Sequence, residues 1–182
     1  MRIESYRSEL PEFVLAQIVE IYLECFTGPP RNEEWTEEGV RGHLLKLLAG
    51  DADVFVVVEG DAAEIVSFGI GLPMVGYFNS EELVGNGADP ESYYFAELGT
   101  RSSRRGQGYG AALQTRREQA AQERGYTSLS VRVRVDNQVT IRLLEKQGFS
   151  RRAQYTSILG GRQVERVLME KECQDPCKPA QI

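Results

Sequence analysis

The residues richest in chemical possibility fall in one run of ten: Arg101-Ser102-Ser103-Arg104-Arg105-Gly106-Gln107-Gly108-Tyr109-Gly110. It lies between an apolar, β-like segment, Tyr93–Thr100, and a helical stretch. Three alternating glycines at a helix N-terminus leave backbone N–H groups bare and approachable. The helix dipole adds about half a positive charge at that end, and Arg101, Arg104 and Arg105 add more. The result is an anion cradle, and a diphosphate is its natural guest. Gly106-x-Gly108-x-x-Ala111 also satisfies the loose dinucleotide fingerprint, with Asp136 as a downstream acid. That motif wants the strand to run straight into its first glycine near the start of a domain, whereas here five polar and basic residues intervene. The P-loop pattern GxxxxGK[ST] is absent from the sequence.

A second block follows. Asn137, Leu143, Glu145-Lys146 and Gly148-Phe149 come in order downstream, with Thr140 between them. Together, Arg105 to Gly110 and this block resemble the two signatures of the GNAT acetyltransferase superfamily. The first is (Gln/Arg)-x-x-Gly-x-(Gly/Ala); the second runs from an Asn to a Gly-Phe pair. The resemblance covers nearly the whole chain. It implies an α/β fold with a mixed central β-sheet flanked by helices, and acetyl transfer from acetyl-CoA to a primary amine. It further implies that the pantetheine arm lies along Leu98, Gly99 and Thr100, with Gly99 at a bulge or a close backbone approach. The pyrophosphate would rest on the amides of Arg105, Gly106, Gln107, Gly108, Tyr109, Gly110 and Ala111. Asn137 would reach the arm from the other side, while also serving as a helix N-cap. A backbone N–H near Leu98 would stabilise the oxyanion. Glu97 is the candidate general base, with an ion pair to an arginine as its structural alternative. Glu24 is the candidate for binding a cationic acceptor, with Glu33 and Glu34 behind it as acids at a helix start. One departure stands out: Leu144 occupies the position of the family's tyrosine acid. Tyr109, Tyr155 or water would have to replace it, or the thiolate leaves unassisted.

The elements that must position these groups can be read from periodicity. Residues 2–7 read as a strand, and 9–26 as a helix with Phe13, Ile18, Ile21, Tyr22 and Phe26 at helical spacing, ended by Thr27-Gly28-Pro29-Pro30. Residues 33–49 form a second helix with Asn32 as N-cap. Asp53–Glu59 and Ile65–Leu72 make a hairpin across Gly60-Asp61, and 73–91 reads as a long loop. The strand 93–100, the helix 110–124, the strand 127–135 and the helix 137–147 follow. The strands 149–159 and 164–170 close the fold across Gly160-Gly161. A single domain is expected over 1–171, with a loose tail over 172–182. The edges of the terminal hairpin make a homodimer reasonable.

Composition narrows the function. The 182 residues carry a net charge of −6, unevenly spread: 5 Lys/Arg and 18 Asp/Glu over 1–96, against 16 and 9 over 97–182. The acidic front half suits a cationic small-molecule acceptor such as an aminoglycoside or polyamine, and the basic back half suits an anionic co-substrate. A protein amine remains an alternative acceptor, and an acyl-CoA-binding domain without catalysis an alternative role. An acidic chain with pI near 5.0 argues against a nucleic-acid partner. No apolar run reaches membrane-spanning length, and the N-terminus lacks a signal-like apolar stretch, so a cytoplasmic protein is expected. With one histidine, His43, and three cysteines, Cys25, Cys173 and Cys177, a structural metal site is not expected. His43, in an amphipathic helix pattern, reads as a surface or capping residue, although any histidine-dependent nucleophile would have to use it.

Overall fold

A computed structural model describes residues 1–29, 31–60 and 63–173. Pro30, Asp61 of the expected hairpin turn and most of the expected tail, with Cys177, lie outside them. The chain runs β1 (Arg2–Arg7), α1 (Glu12–Phe26), α2 (Glu37–Ala49), β2 (Asp53–Glu59), β3 (Glu64–Pro73), α3 (Ser80–Gly85), β4 (Tyr93–Thr100), α4 (Tyr109–Glu123), β5 (Ser128–Arg134), α5 (Gln138–Lys146), β6 (Ser150–Leu159) and β7 (Arg162–Glu172). Among the described residues, seven strands form one mixed sheet in the order β1-β2-β3-β4-β5-β7-β6, with β4 and β5 its only parallel pair. The central run DVFVVVE of β2 is buried along both faces, which is why it reads as continuously apolar. One face of the sheet is covered by α1 and α2 through Val14, Ile18, Tyr22, Val40 and Leu44. The other is covered by α4 and α5 through Leu113, Ala121, Ile141 and Leu144.

Several boundaries differ from the expectation, each for a local reason. Helix α1 starts at Glu12 after Pro11, and Phe13 is 61% exposed; Val14 and Leu15 take the buried positions instead. Asn32 does not cap α2. Its φ is +49°, in a turn, and the cap is Thr36, whose Oγ1 accepts from Gly39 N at 3.1 Å. Glu33 and Glu34 therefore precede the helix, and Glu37 and Glu38 fill its first turn. The 73–91 segment is not all loop: it contains a short 3-10 turn and α3. Strand β7 runs on through Lys171 and Glu172.

One close approach fastens α2 to the 3-10 turn that follows β3. Gly50, at the end of α2, touches Gly76 backbone to backbone; a Cβ on Gly50 would stand 2.1 Å from the Gly76 carbonyl oxygen. Neither backbone can yield without moving α2 or the 3-10 turn. Gly50→Ala is expected to cost about 2–3 kcal/mol, by analogy with overpacked cores. At this chain length that lowers Tm by roughly 4–12 °C, readable by thermal unfolding.

The feature that shapes the site is a bulge in β4. Gly71 pairs with Phe95 and Ile70 with Glu97, so Ala96 is the extra residue. Gly99, expected at a bulge or a close backbone approach, lies in regular pairing with Phe68. It is glycine because a Cβ there would stand 2.5 Å from the Phe68 ring. The extra residue changes which face the following side chains meet. Tyr93 and Phe95 pack with the α4/α5 side, and Tyr94 and Ala96 with the α1/α2 side. Strict alternation would return Glu97 to α4. The bulge turns it toward α2.

Candidate active site

Past the bulge, β4 and β5 separate. Their parallel ladder covers only Tyr93–Phe95 against Leu129–Val131. The V so opened is a narrow cleft lined by Ala96, Glu97 and Leu98 on one arm and by Arg132, Val133, Arg134, Asn137 and Thr140 on the other. Arg117, from α4, closes its base. This guanidinium is 1% exposed and donates through Nη1 to the carbonyls of Ile70 and Glu97, each at 3.0 Å. It also donates to Gln114 Oε1 and lies 4.3 Å over the Phe95 ring. Burial pushes its pKa down. The carbonyls and the ring face supply the negative field that holds the charge. Arg117 thus clasps the two carbonyls that flank the bulge.

The glycine loop stands beside the Leu98 end of the cleft, where a Cβ on Gly110 would lie 3.8 Å from the Leu98 side chain. Gly106 and Gly108 have φ of +79° and +84°, a region L side chains rarely adopt. Gly108 is the N-cap of α4 and offers no side-chain cap. Among the described residues, the N–H groups from Gly106 to Ala111 have no hydrogen-bond partner. The arginines contribute less than their number implied. Arg101 is engaged by Glu20 and Glu24 at 3.1 and 3.8 Å, and Arg104 by Glu59 at 3.4 Å. Arg105 makes no ion pair among the described residues; its side chain reaches the Thr100 carbonyl and Cys25 Sγ. The cradle is therefore made mainly of main-chain dipoles, supplemented by Arg105. Uncapped amides of this kind suit an anionic group such as a diphosphate.

The other end opens into a cavity of about 520 Å³, lined by α1, α2 and the sheet. Glu97 lines both cleft and cavity. Its Oε1 is 2.9 Å from His43 Nε2. With Glu97 ionised, Nε2 carries the proton and donates. His43 is therefore not a surface or capping residue, as the helix pattern suggested. Its side chain is 14% exposed and boxed by the rings of Tyr22, Trp35 and Phe78, with centroids 5.4–5.7 Å away. Glu97 likewise pairs with histidine rather than with an arginine.

The remaining expected residues are spread around this pair. Asn137 caps α5, accepting from Thr140 N at 3.3 Å, and also lines the cleft. Glu24 does not line the cavity; it accepts from Ser102 N and pins the glycine loop to α1. Its pKa lies below the usual carboxylate value, with burial opposing and the Ser102 and arginine partners prevailing. Glu33 does line the cavity, held by Trp35 Nε1 and Arg31, while Glu34 is exposed and reaches Arg162. Leu144 is fully buried in the core under α5. Tyr109 packs against Phe55, Val57 and Leu113, with its hydroxyl donating to Glu59. The Tyr155 hydroxyl is buried without a hydrogen-bond partner among the described residues, and Tyr155 does not line the cleft. Neither tyrosine lines the cleft where a leaving thiolate would need a proton. Cys25 donates to the Thr100 carbonyl, so it does not pair with His43.

The acidic front half does not converge on the cavity. Its acids are spent pairwise: Glu12 on Arg41, Glu20 on Arg101, Glu59 on Arg104, Glu82 on Arg132, and Asp51 and Asp53 on Arg124. What lines the cavity is mixed: Glu33, Glu38 and Glu97 with Arg31, Lys46, Arg132 and Arg166. Sequence reasoning missed His43, Arg117 and Arg166. The placement of Arg166 in the run VERVLM was a hint to it; the polar stretch QTRREQ around Arg117 gave no such signal. Among the described residues, no group of His, Cys, Asp and Glu could hold a metal ion, and no helix is long and apolar enough to cross a membrane.

Comparison with known proteins agrees with this geometry. The model of the acetyltransferase (GNAT) family matches residues 15–149. No curated protein sequence matches the chain. Among solved structures, the ribosomal-protein-alanine N-acetyltransferase from Brucella melitensis superposes with a TM-score of 0.70 at 19% identity, over 94% of this chain and 99% of that one. The ribosomal-protein-S18-alanine N-acetyltransferase from Escherichia coli gives 0.67 at 15% identity, over 98% and 99%. The protein yncA from Salmonella typhimurium, with its cofactor acetyl-CoA, gives 0.68 at 15% identity over the full length of both. At these identities the likeness bears on the fold.

Proposed function

This chain belongs to the acetyltransferase (GNAT) family, and on that premise we propose that it acetylates the primary amine of a small molecule, with Glu97 as the base. The observation that carries the reading is the arrangement along β4. Past Phe95 the strand is free of β5, Leu98 and Glu97 line the cleft, Leu98 lies against Gly110 at the start of the helix whose first amides are bare, and Glu97 meets His43.

Acetyl-CoA supplies an activated acyl carbon when bound. The amides of Gly106 to Ala111 and the Arg105 guanidinium hold its diphosphate. Leu98, Gly99 and Thr100 offer backbone to the pantetheine arm, with Asn137 opposite. An amine entering the cavity arrives as an ammonium. Glu97 takes its proton, and His43 keeps the carboxylate aimed at the cleft. A backbone N–H at Leu98 meets the charge that develops on the acyl oxygen. Leu144, buried under α5, donates nothing; the thiolate leaves to water, as a thiol of ordinary pKa can.

The test couples two measurements: calorimetric titration with coenzyme A, and release of free thiol from acetyl-CoA across a panel of amines. Binding together with thiol release is expected. Binding without release across the panel would leave only a donor-binding role. Gly108→Val places a β-branched residue where φ is +84°, at the mouth of the amide cradle. It is expected to weaken coenzyme A binding by about tenfold or more, the equivalent of about 1.4 kcal/mol.

A further inference from the structure

We infer that the acceptor carries a carboxylate beside its amine, and that Arg166 is the residue that receives it. The inference rests on the N-acetyltransferase reading above and names the substrate class of that same site.

Arg166 lies on β7, opposite Arg134 of β5 and Tyr155 of β6, beyond the point where β4 has left β5. It lines both the cleft and the cavity. The residue is 9% exposed, and its one side-chain hydrogen bond among the described residues is from Nε to Ser157 Oγ at 3.1 Å. No described carboxylate stands within ion-pairing distance of it. Its neighbours are all provided for: Arg31 by Glu33 at 3.6 Å, Arg132 by Glu82 at 3.1 Å and Arg134 by Asp136 at 2.6 Å. The four guanidiniums thus share three carboxylates, and Arg166, which lines the cavity, carries the surplus charge.

A buried, unpaired cation is costly to the folded state. Burial, and then the neighbouring Arg132, lower the Arg166 pKa, against the opposing pull of Tyr94 and Glu33. A ligand anion relieves that cost. The planar fork of a guanidinium matches a carboxylate in bidentate fashion. A single surplus charge suits a monoanion, and Glu33 and Glu97 in the same cavity would repel a dianion. The opposite pole is already described: Glu97, held by His43, accepts the ammonium. Tyr22, Trp35 and Phe78, which line the same cavity, offer an aromatic wall for the body of the molecule. The complement of this arrangement is a zwitterion such as an α-amino acid, not a polycation.

The test uses wild-type protein, Arg166→Met and Arg166→Lys. The probes are the twenty amino acids, their C-terminal amides and the corresponding decarboxylated amines, each with acetyl-CoA and free-thiol release as the readout. At least one amino acid is expected to exceed its own amide by about tenfold or more in kcat/KM. Arg166→Met should erase that preference, chiefly through KM, and Arg166→Lys should restore part of it. Thermal unfolding adds a readout that a structural arginine would move the other way: Arg166→Met should leave Tm unchanged or raise it. The inference is overturned if amides or plain amines react as well as the acids. It is also overturned if no amino acid is acetylated, if Arg166→Met slows acid and amide equally, or if that variant loses more than about 5 °C in Tm, a change of 1 kcal/mol or more at this size. Wild-type protein that fails to bind coenzyme A would instead overturn the reading beneath it.

Discussion

Glu97→Gln is expected to lower kcat by about 100-fold or more, near 2.7 kcal/mol of barrier, and to leave coenzyme A affinity unchanged. The substitution is nearly isosteric. A glutamine oxygen can still accept from His43 Nε2, so the aromatic box and the bulge keep their shape. What is lost is the ability to take a proton from the entering ammonium. His43→Gln tests the division of labour between the two. If His43 acts by positioning the carboxylate, its loss should cost about tenfold, and raising the pH should recover little of it. A His43→Gln defect as large as that of Glu97→Gln would move the base to the imidazole. A Glu97→Gln enzyme with wild-type rate would leave proton removal to water. Steady-state thiol release at saturating acetyl-CoA separates these results.

The second large effect concerns a residue that touches no substrate. Arg117→Met should reduce both stability and turnover. The methionine fills much of the space but leaves the Ile70 and Glu97 carbonyls without their donor, in a place only slightly exposed. Each unsatisfied carbonyl costs about 1–3 kcal/mol, offset in part by the desolvation cost of the guanidinium that is removed. A net loss of about 2–3 kcal/mol lowers Tm by roughly 4–12 °C. Turnover should fall further than the unfolded fraction explains, because a relaxed bulge lets Glu97 swing back toward α4. Well below the melting temperature, with folding verified by circular dichroism, the remaining kcat reports that swing. Unchanged kcat and unchanged Tm would mean that the bulge stands without its clasp.

What could be read in advance was whatever is written locally. The alternating TSLSVRVRV run, the β-branched run of β2 and the glycine loop before α4 each state their structure within a dozen residues, and the order of elements followed. The second motif, from Asn137 to Phe149, also kept its place, capping and packing α5. What could not be read was whatever depends on two distant segments meeting. His43 and Glu97 are 54 positions apart, and the helix pattern around His43 says only that one face is apolar. The bulge at Ala96 has no glycine to announce it. It is held by Arg117, a charged residue in a helix whose exposed-looking composition hides a buried guanidinium. Asn32 lost the capping role because Trp35 and Glu33 must turn inward before α2 can begin, leaving Thr36 at the true start. The charge split between the halves was real, yet most of it is satisfied within the molecule.

Helix α4 begins at the amides that would grip the donor and, eight residues on, sends Arg117 to the carbonyls beside Glu97. Those two stations are about 12 Å apart along one stiff rod. Donor grip and base aim are therefore not separate dials. A change that tilts the rod to suit a bulkier acyl carrier must also misdirect the carboxylate, and a lineage drifting at one station is bound to answer for it at the other.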